Sequence, residues 1–154
     1  MSLHLYIPTG APEEVDQVQW RQLFEYWQEQ CKPDFAGSVL VQFVRSDAMQ
    51  ELSRRHQDKD APTDVLSFRY DPPMGDASGE LVSGEIVICT DVAGVNAMKL
   101  QVTLEVEYVT LFVHGLIHLV GLDHATKAER QQFEELTRGI MEAGGLSPVS
   151  LWLD

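Results

Sequence analysis

Cysteine is scarce: Cys31 and Cys89 are the only two in 154 residues, far apart and in no CxxC pairing. That excludes a disulfide framework and a cysteine-ligated zinc site, and it suits a reducing compartment. Long apolar runs are lacking as well. The longest, VTLFVHGLIHLVGL, is too short and too rich in histidine to span a bilayer, so no membrane partner is expected. The opening residues, MSLHLYIPTGAPEEVD, have neither a basic n-region nor a long apolar h-region. No signal peptide is expected there, and the protein is expected to be cytoplasmic. Positive charge is in deficit, with 11 Lys and Arg against 24 Asp and Glu and a net charge of −13. Phosphate contacts need Lys and Arg, so broad, sequence-independent nucleic-acid binding is disfavoured.

What is present is ordinary for a globular chain: 44% hydrophobic and 23% charged residues, without repeats, low-complexity segments or linkers. One domain over residues 1–154 is expected, long enough to bury a core without staples. LHLYIP (3–8) reads as a strand ended by Pro8, and GSVLVQFVR (37–45) as a second. Between them EEVDQVQWRQLFEYWQEQC (13–31) carries Val15, Val18, Leu23, Phe24 and Trp27 at roughly helical spacing, with Pro12 at its first turn and Lys32-Pro33 at its end. Strand, helix, strand predicts a parallel pair joined by a right-handed crossover.

SDAMQELSRRHQDKD (46–60) predicts a helix opened by Ser46 or Asp47, and VLSFRY (65–70) a third strand. DPPMGDASGELVSG (71–84) has the Pro and Gly content of a loop, with room for a brief strand, and GEIVICTD (84–91) is apolar enough for a central fourth strand. Three helices follow: DVAGVNAMKLQ, a segment from about Thr103 that is apolar nearly all round, and one opened by TKAE in a capping-box arrangement and stopped at Gly144-Gly145. The class is α+β: a small mixed sheet with surrounding helices and one central buried helix.

Five of the eleven basic residues, Arg45, Arg54, Arg55, Lys59 and Arg69, fall between positions 45 and 69, with His56 among them. They form either a local basic face or a solvated helix face offset by Glu51, Asp58 and Asp60.

The strongest chemical signal is HGLIHLVGLDH (114–124). His114 and His118, four residues apart on a helix, leave the same face one turn apart and can reach one ion. Gly121 can adopt a left-handed conformation and stop the helix, and His124 then returns from outside it. Three histidines with a fourth position open are the pattern of a catalytic zinc site. Zinc suits such imidazoles best, although nickel or copper would accept them. The spacing HxxxHxxGxxH is also that of the metzincin peptidases, whose motif places the general-base Glu immediately after the first histidine. Here that position is Gly115, so the peptidase mechanism lacks its proton acceptor.

HGLIHLVGLDH, close to HGxLHLxGYDH, together with DAPTDVLSF (60–68) and GEIVIC (84–89), resembles the YbeY family of metal-dependent single-strand endoribonucleases of rRNA maturation. The resemblance runs over roughly the whole chain in length and element order. It implies one zinc ion held by His114, His118 and His124 in a cleft that accepts single-stranded RNA for phosphodiester hydrolysis. It also implies work on ribosomal RNA among ribosomal or ribosome-associated proteins. A departure is visible: the family typically has Tyr-Arg just before the PTDVLSF block, where this chain has His56 and Gln57, and Leu122 replaces a Tyr. An arginine there would bind phosphate bidentately, whereas glutamine offers only neutral hydrogen bonds, with Arg54 or Arg55 as substitutes from the preceding turn. The catalytic candidates are therefore Arg55, Gln57 and His114.

A zinc ion on three neutral imidazoles brings a bound water's pKa to about 7. Attack by the resulting hydroxide and attack by the RNA's own 2′-hydroxyl both remain open. Among nearby polar residues, Asp123 fits a ligand-orienting or helix-capping role better than a catalytic one. Thr63, Asp64 and Ser67 are either site residues or ordinary turn and strand residues. Two further function classes stay in view: a metal-binding ribosome-assembly factor with little intrinsic cleavage, and a zinc hydrolase acting on another substrate.

Overall fold

A computed structural model describes residues 2–146. The elements run β1 (Leu3–Tyr6), α1 (Gln17–Cys31), β2 (Gly37–Val44), α2 (Ser46–Gln57), β3 (Val65–Gly75), β4 (Leu81–Cys89), α3 (Thr90–Leu100), α4 (Leu104–Leu119) and α5 (Lys127–Ala143). The four strands form one mixed sheet in the order β1-β2-β4-β3. β1 and β4 both pair in parallel with β2, as the strand, helix, strand order predicts for the first pair, and β3 is an antiparallel edge. The class is therefore α+β as expected, with β4 central.

The last four residues of β4, Ile86 to Cys89, read as an unbroken apolar run because both faces of the strand are covered there. Ile86 and Ile88 turn to the larger core with Val39 and Val41 of β2, Trp20, Leu23 and Trp27 of α1, and Phe112 and Leu116 of α4. Trp20 stacks on Phe112 at 4.2 Å between ring centroids, a contact worth about 0.5–1.5 kcal/mol beyond burial alone. Val87 and Cys89 point to the other face, where Met49 of α2 and Leu66 of β3 close a smaller core. α4 runs through the larger core, and twelve of its sixteen residues are buried. No helix among the described residues is by itself long and apolar enough to cross a membrane.

Several boundaries differ from the sequence expectation, each for a physical reason. α1 begins at Gln17, because Asp16 supplies the side-chain acceptor that caps it (Gln19 N–H to Asp16 Oδ1, 3.1 Å), while Pro12 sits in a separate turn ahead of it. At α2 the N-cap is Arg45, with no cap from its own side chain. Asp91, at the start of α3, accepts instead from the backbone N–H and hydroxyl of Ser46 at 2.8 and 2.9 Å. The segment expected to be a loop is a hairpin: β3 continues to Gly75 and β4 starts at Leu81. Two prolines are tolerated because β3 is an edge strand, with the pairing interrupted between Arg69 and Met74. β4 ends at Cys89 rather than position 91, and α3 takes over at Thr90.

Candidate metal and RNA site

Thr103 opens α4 by accepting from the Val106 N–H, and the helix ends at Leu119. Gly121 follows with φ +87°, the left-handed turn its position predicts. The chain then doubles back, and the Asp123 carboxylate accepts from the His124 N–H at 2.8 Å, which fixes that turn. Asp123 thus holds the backbone of a candidate ligand, while the next helix is capped by Thr126, with Glu129 completing the capping box.

All three histidine rings lie against one aromatic side chain. The His118 and His124 rings lie 5.3 Å apart between centroids. The Phe133 ring of α5 lies 5.2 Å from His114, 4.8 Å from His118 and 5.3 Å from His124. Burial grades outward: His114 is 8% exposed, and the other two are half-buried, so the group opens toward solvent on one side. Burial, reinforced by the neighbouring His118 and His124, pushes the His114 pKa down to about 3. Burial lowers that of His118 too, partly offset by its contact with the Leu122 carbonyl. That contact spans 3.0 Å from Nδ1. A carbonyl can only accept, so Nδ1 carries the proton and Nε2 presents a lone pair, the tautomer a metal-ligating histidine needs.

The donor chemistry therefore fits a cation: three imidazoles, two of them favoured neutral by burial and one with its tautomer set by the backbone. The side-chain positions do not close on an ion, however. Among the described residues no group of three or more His, Cys, Asp or Glu side chains is arranged to hold one.

The surrounding residues divide by sheet face. On β3 the Ser67 hydroxyl donates to the Gly115 carbonyl of α4 at 2.9 Å, so its neighbours Leu66 and Phe68 point to the opposite face. There α2 packs, with His56 edge-on to Phe68 at 4.8 Å. Arg55 is exposed and pairs with Glu51 on its own helix at 3.2 Å, while Arg54 pairs with Glu51 and with Asp60 at 3.9 Å. Arg45 pairs with Asp91 at 3.3 Å. The basic cluster is thus largely a solvated, self-paired helix face. Arg55 and Gln57 lie on the helix across the sheet from α4, and the structure does not bring them into the histidine group. Arg69 lies apart from these pairs, with its guanidinium over the Phe35 ring at 3.8 Å.

The PTDVLSF block wraps the β3 edge. The Asp64 carboxylate accepts from the Val65 N–H at 2.8 Å and from Asn96 of α3 at 3.4 Å, and its carbonyl accepts from the Cys89 N–H at 2.8 Å. Burial raises its pKa, opposed by the Val65 and Asp64 N–H groups, the Thr63 hydroxyl and the nearby His124. The Asn96 amide also lies near enough to favour the charged form of Glu107, a carboxylate only 3% exposed within α4 and pushed up to about 7, chiefly by burial. Sequence reasoning passed over Glu107, Asn96 and Phe133. Glu107 had a readable signal, since an acid seven residues before His114 falls on the same helical stripe. Phe133 had none, because its role depends on how α5 docks.

A family model described as Endoribonuclease YbeY matches residues 9–145. The chain is 35% identical over 139 residues to an Endoribonuclease YbeY of Beutenbergia cavernae, covering 88% of this chain and 93% of that one. It is also 35% identical over 144 residues to one of Staphylococcus aureus strain JH9, covering 90% and 93%. The solution structure of a Thermotoga maritima protein, TM1509, is similar at a TM-score of 0.53 and 26% identity, covering 92% of this chain and 90% of that one.

Proposed function

The chain belongs to the YbeY endoribonuclease family, and from that premise we propose that it is a zinc-dependent single-strand endoribonuclease acting in rRNA maturation and ribosome biogenesis in the cytoplasm. Family membership supports the ribonuclease and ribosome-biogenesis role in general, and residues 1–154 are read as one domain. The observation that carries the metal reading is the convergence of His114, His118 and His124 about one phenyl ring, with the two outer imidazoles half-exposed. These three would hold the ion, which would supply a Lewis acid and an activated water for phosphodiester hydrolysis. The chain's own contribution is to favour neutral His114 and His118 by burial, set the His118 tautomer through the Leu122 carbonyl, and hold the His124 backbone through Asp123. With a net charge of −13, RNA contact is confined to the histidine cleft, helped by a basic ribosomal or ribosome-associated partner.

Zinc content and RNA cleavage of the purified protein test this. Stoichiometric zinc, cleavage of a single-stranded RNA, and loss of both in His118→Ala are expected. Protein that takes up no zinc on titration would overturn the metal reading. A second reading, a metal-binding assembly factor with little cleavage, is favoured by Gln57 and by the self-paired Arg55 across the sheet. Zinc without cleavage would select it. Cleavage of peptides but not RNA would select a different hydrolase.

A further inference from the structure

We propose that Phe133 is the positioning residue of the histidine group, a buried template that gathers all three imidazoles about one ring before any metal arrives. The inference rests on the metal reading above and concerns how the ligands are preorganised.

Two of the candidate ligands share α4, but His124 comes from the turn between α4 and α5. Helical geometry sets the relation between His114 and His118 and says nothing about the third. The only side chain in ring contact with all three among the described residues belongs to Phe133, six residues into α5. Its ring meets His114 and His124 edge-to-face, at 66° and 83°, and His118 tilted at 47°. Edge-to-face and tilted contacts at these separations are favoured by the ring quadrupoles, so each imidazole plane is oriented as well as placed. The ring is itself fixed. Phe133 is fully buried and shares the inward stripe of α5 with Thr137, Ile140 and Met141. Thr126 and Glu129 start that helix in a defined frame, two turns before the ring. The docking of α5 on α4 is thereby converted into the position of His124. Being wholly buried, the ring cannot stack on a base, which separates positioning from substrate binding.

Preorganisation of this kind should show in metal affinity, since residues that orient ligands typically alter it by roughly 10–100-fold. The test compares full-length wild type, Phe133→Leu and Ile140→Ala, the last removing apolar volume from the same face of α5 about two turns away. Each is titrated with zinc against a chelating indicator and melted metal-free. Ring protons of the three histidines are followed by NMR without metal. Phe133→Leu should weaken zinc binding at least about tenfold and abolish the ring-current shifts. Ile140→Ala should lower the melting temperature comparably and leave zinc affinity within about twofold. If Phe133→Leu does not fold, Phe133→Met takes its place with the same expectation. Zinc affinity in the Phe133 variant within about twofold of wild type would overturn the inference while leaving the metal reading intact. Wild-type protein that binds no zinc would bring down the metal reading itself and this inference with it.

Discussion

Gly115 lies so close to Ile86 that a Cβ built on it would stand 2.6 Å from the Ile86 Cγ2. The residue after the first histidine thus faces the sheet interior. In the peptidases of matching spacing this position carries the catalytic Glu, and here the backbone has no room for one. Gly115→Ala gains about 1 kcal/mol of helix preference but overpacks a fully buried, branched Ile86 at about 1–3 kcal/mol. A net fall in thermal stability is expected in melts, and Gly115→Glu is expected to lose more and to cut no peptide.

Ser67→Ala removes the hydroxyl that ties β3 to the Gly115 carbonyl. The loss should be about 1 kcal/mol in denaturant unfolding, with faster amide exchange concentrated in β3. Unchanged stability would mean that the 2.9 Å hydrogen bond is not maintained in solution.

Glu107 gives the protein a pH signature. Its folded pKa is raised to about 7 from an ordinary 4.5, so between those values the folded state holds a proton that the unfolded chain has released. Stability from this group therefore falls as pH rises through that window and the loss is complete above it. Across the window the difference should reach up to about 3 kcal/mol. Glu107→Gln keeps a neutral partner for Asn96, so it should flatten the profile and stabilise the protein above pH 7. A steeper profile in the variant would contradict the assignment.

Gln57 closes α2 as an exposed residue, just before the segment that turns around the β3 edge to Asp64. Gln57→Arg should leave cleavage of single-stranded RNA within about twofold, because α2 packs on the face of β3 opposite α4 and a guanidinium there adds its charge away from the histidine group. Fold stability should stay within about 0.5 kcal/mol, as for most exposed substitutions. Kinetics on one short RNA substrate would decide it. A gain of about tenfold or more would show that residue 57 reaches the RNA and would contradict this placement.

Much of the architecture was legible because local chemistry and burial pattern act over short distances. The Ile86/Val87/Ile88/Cys89 run announced a strand buried on both faces, the apolar helix its central place, and TKAE its capping box. The boundary errors arose where the deciding contact was remote. Asp91 caps α2 from 45 residues away, and edge placement lets two prolines remain in β3.

The site divides along the same line. Helix periodicity and one glycine's left-handed freedom were enough to put His118 one turn beyond His114 and to stop the helix before Gly121. Only the tertiary structure decided what surrounds the three histidines. Phe133 meets them because α5 docks on α4, and Asn96 of α3 reaches Asp64 because α3 packs beside the start of β3. Arg55 is kept apart because alternate residues of β3 face opposite sides of the sheet, with α4 on one and α2 on the other. Contacts across such distances depend on packing, which no local pattern encodes.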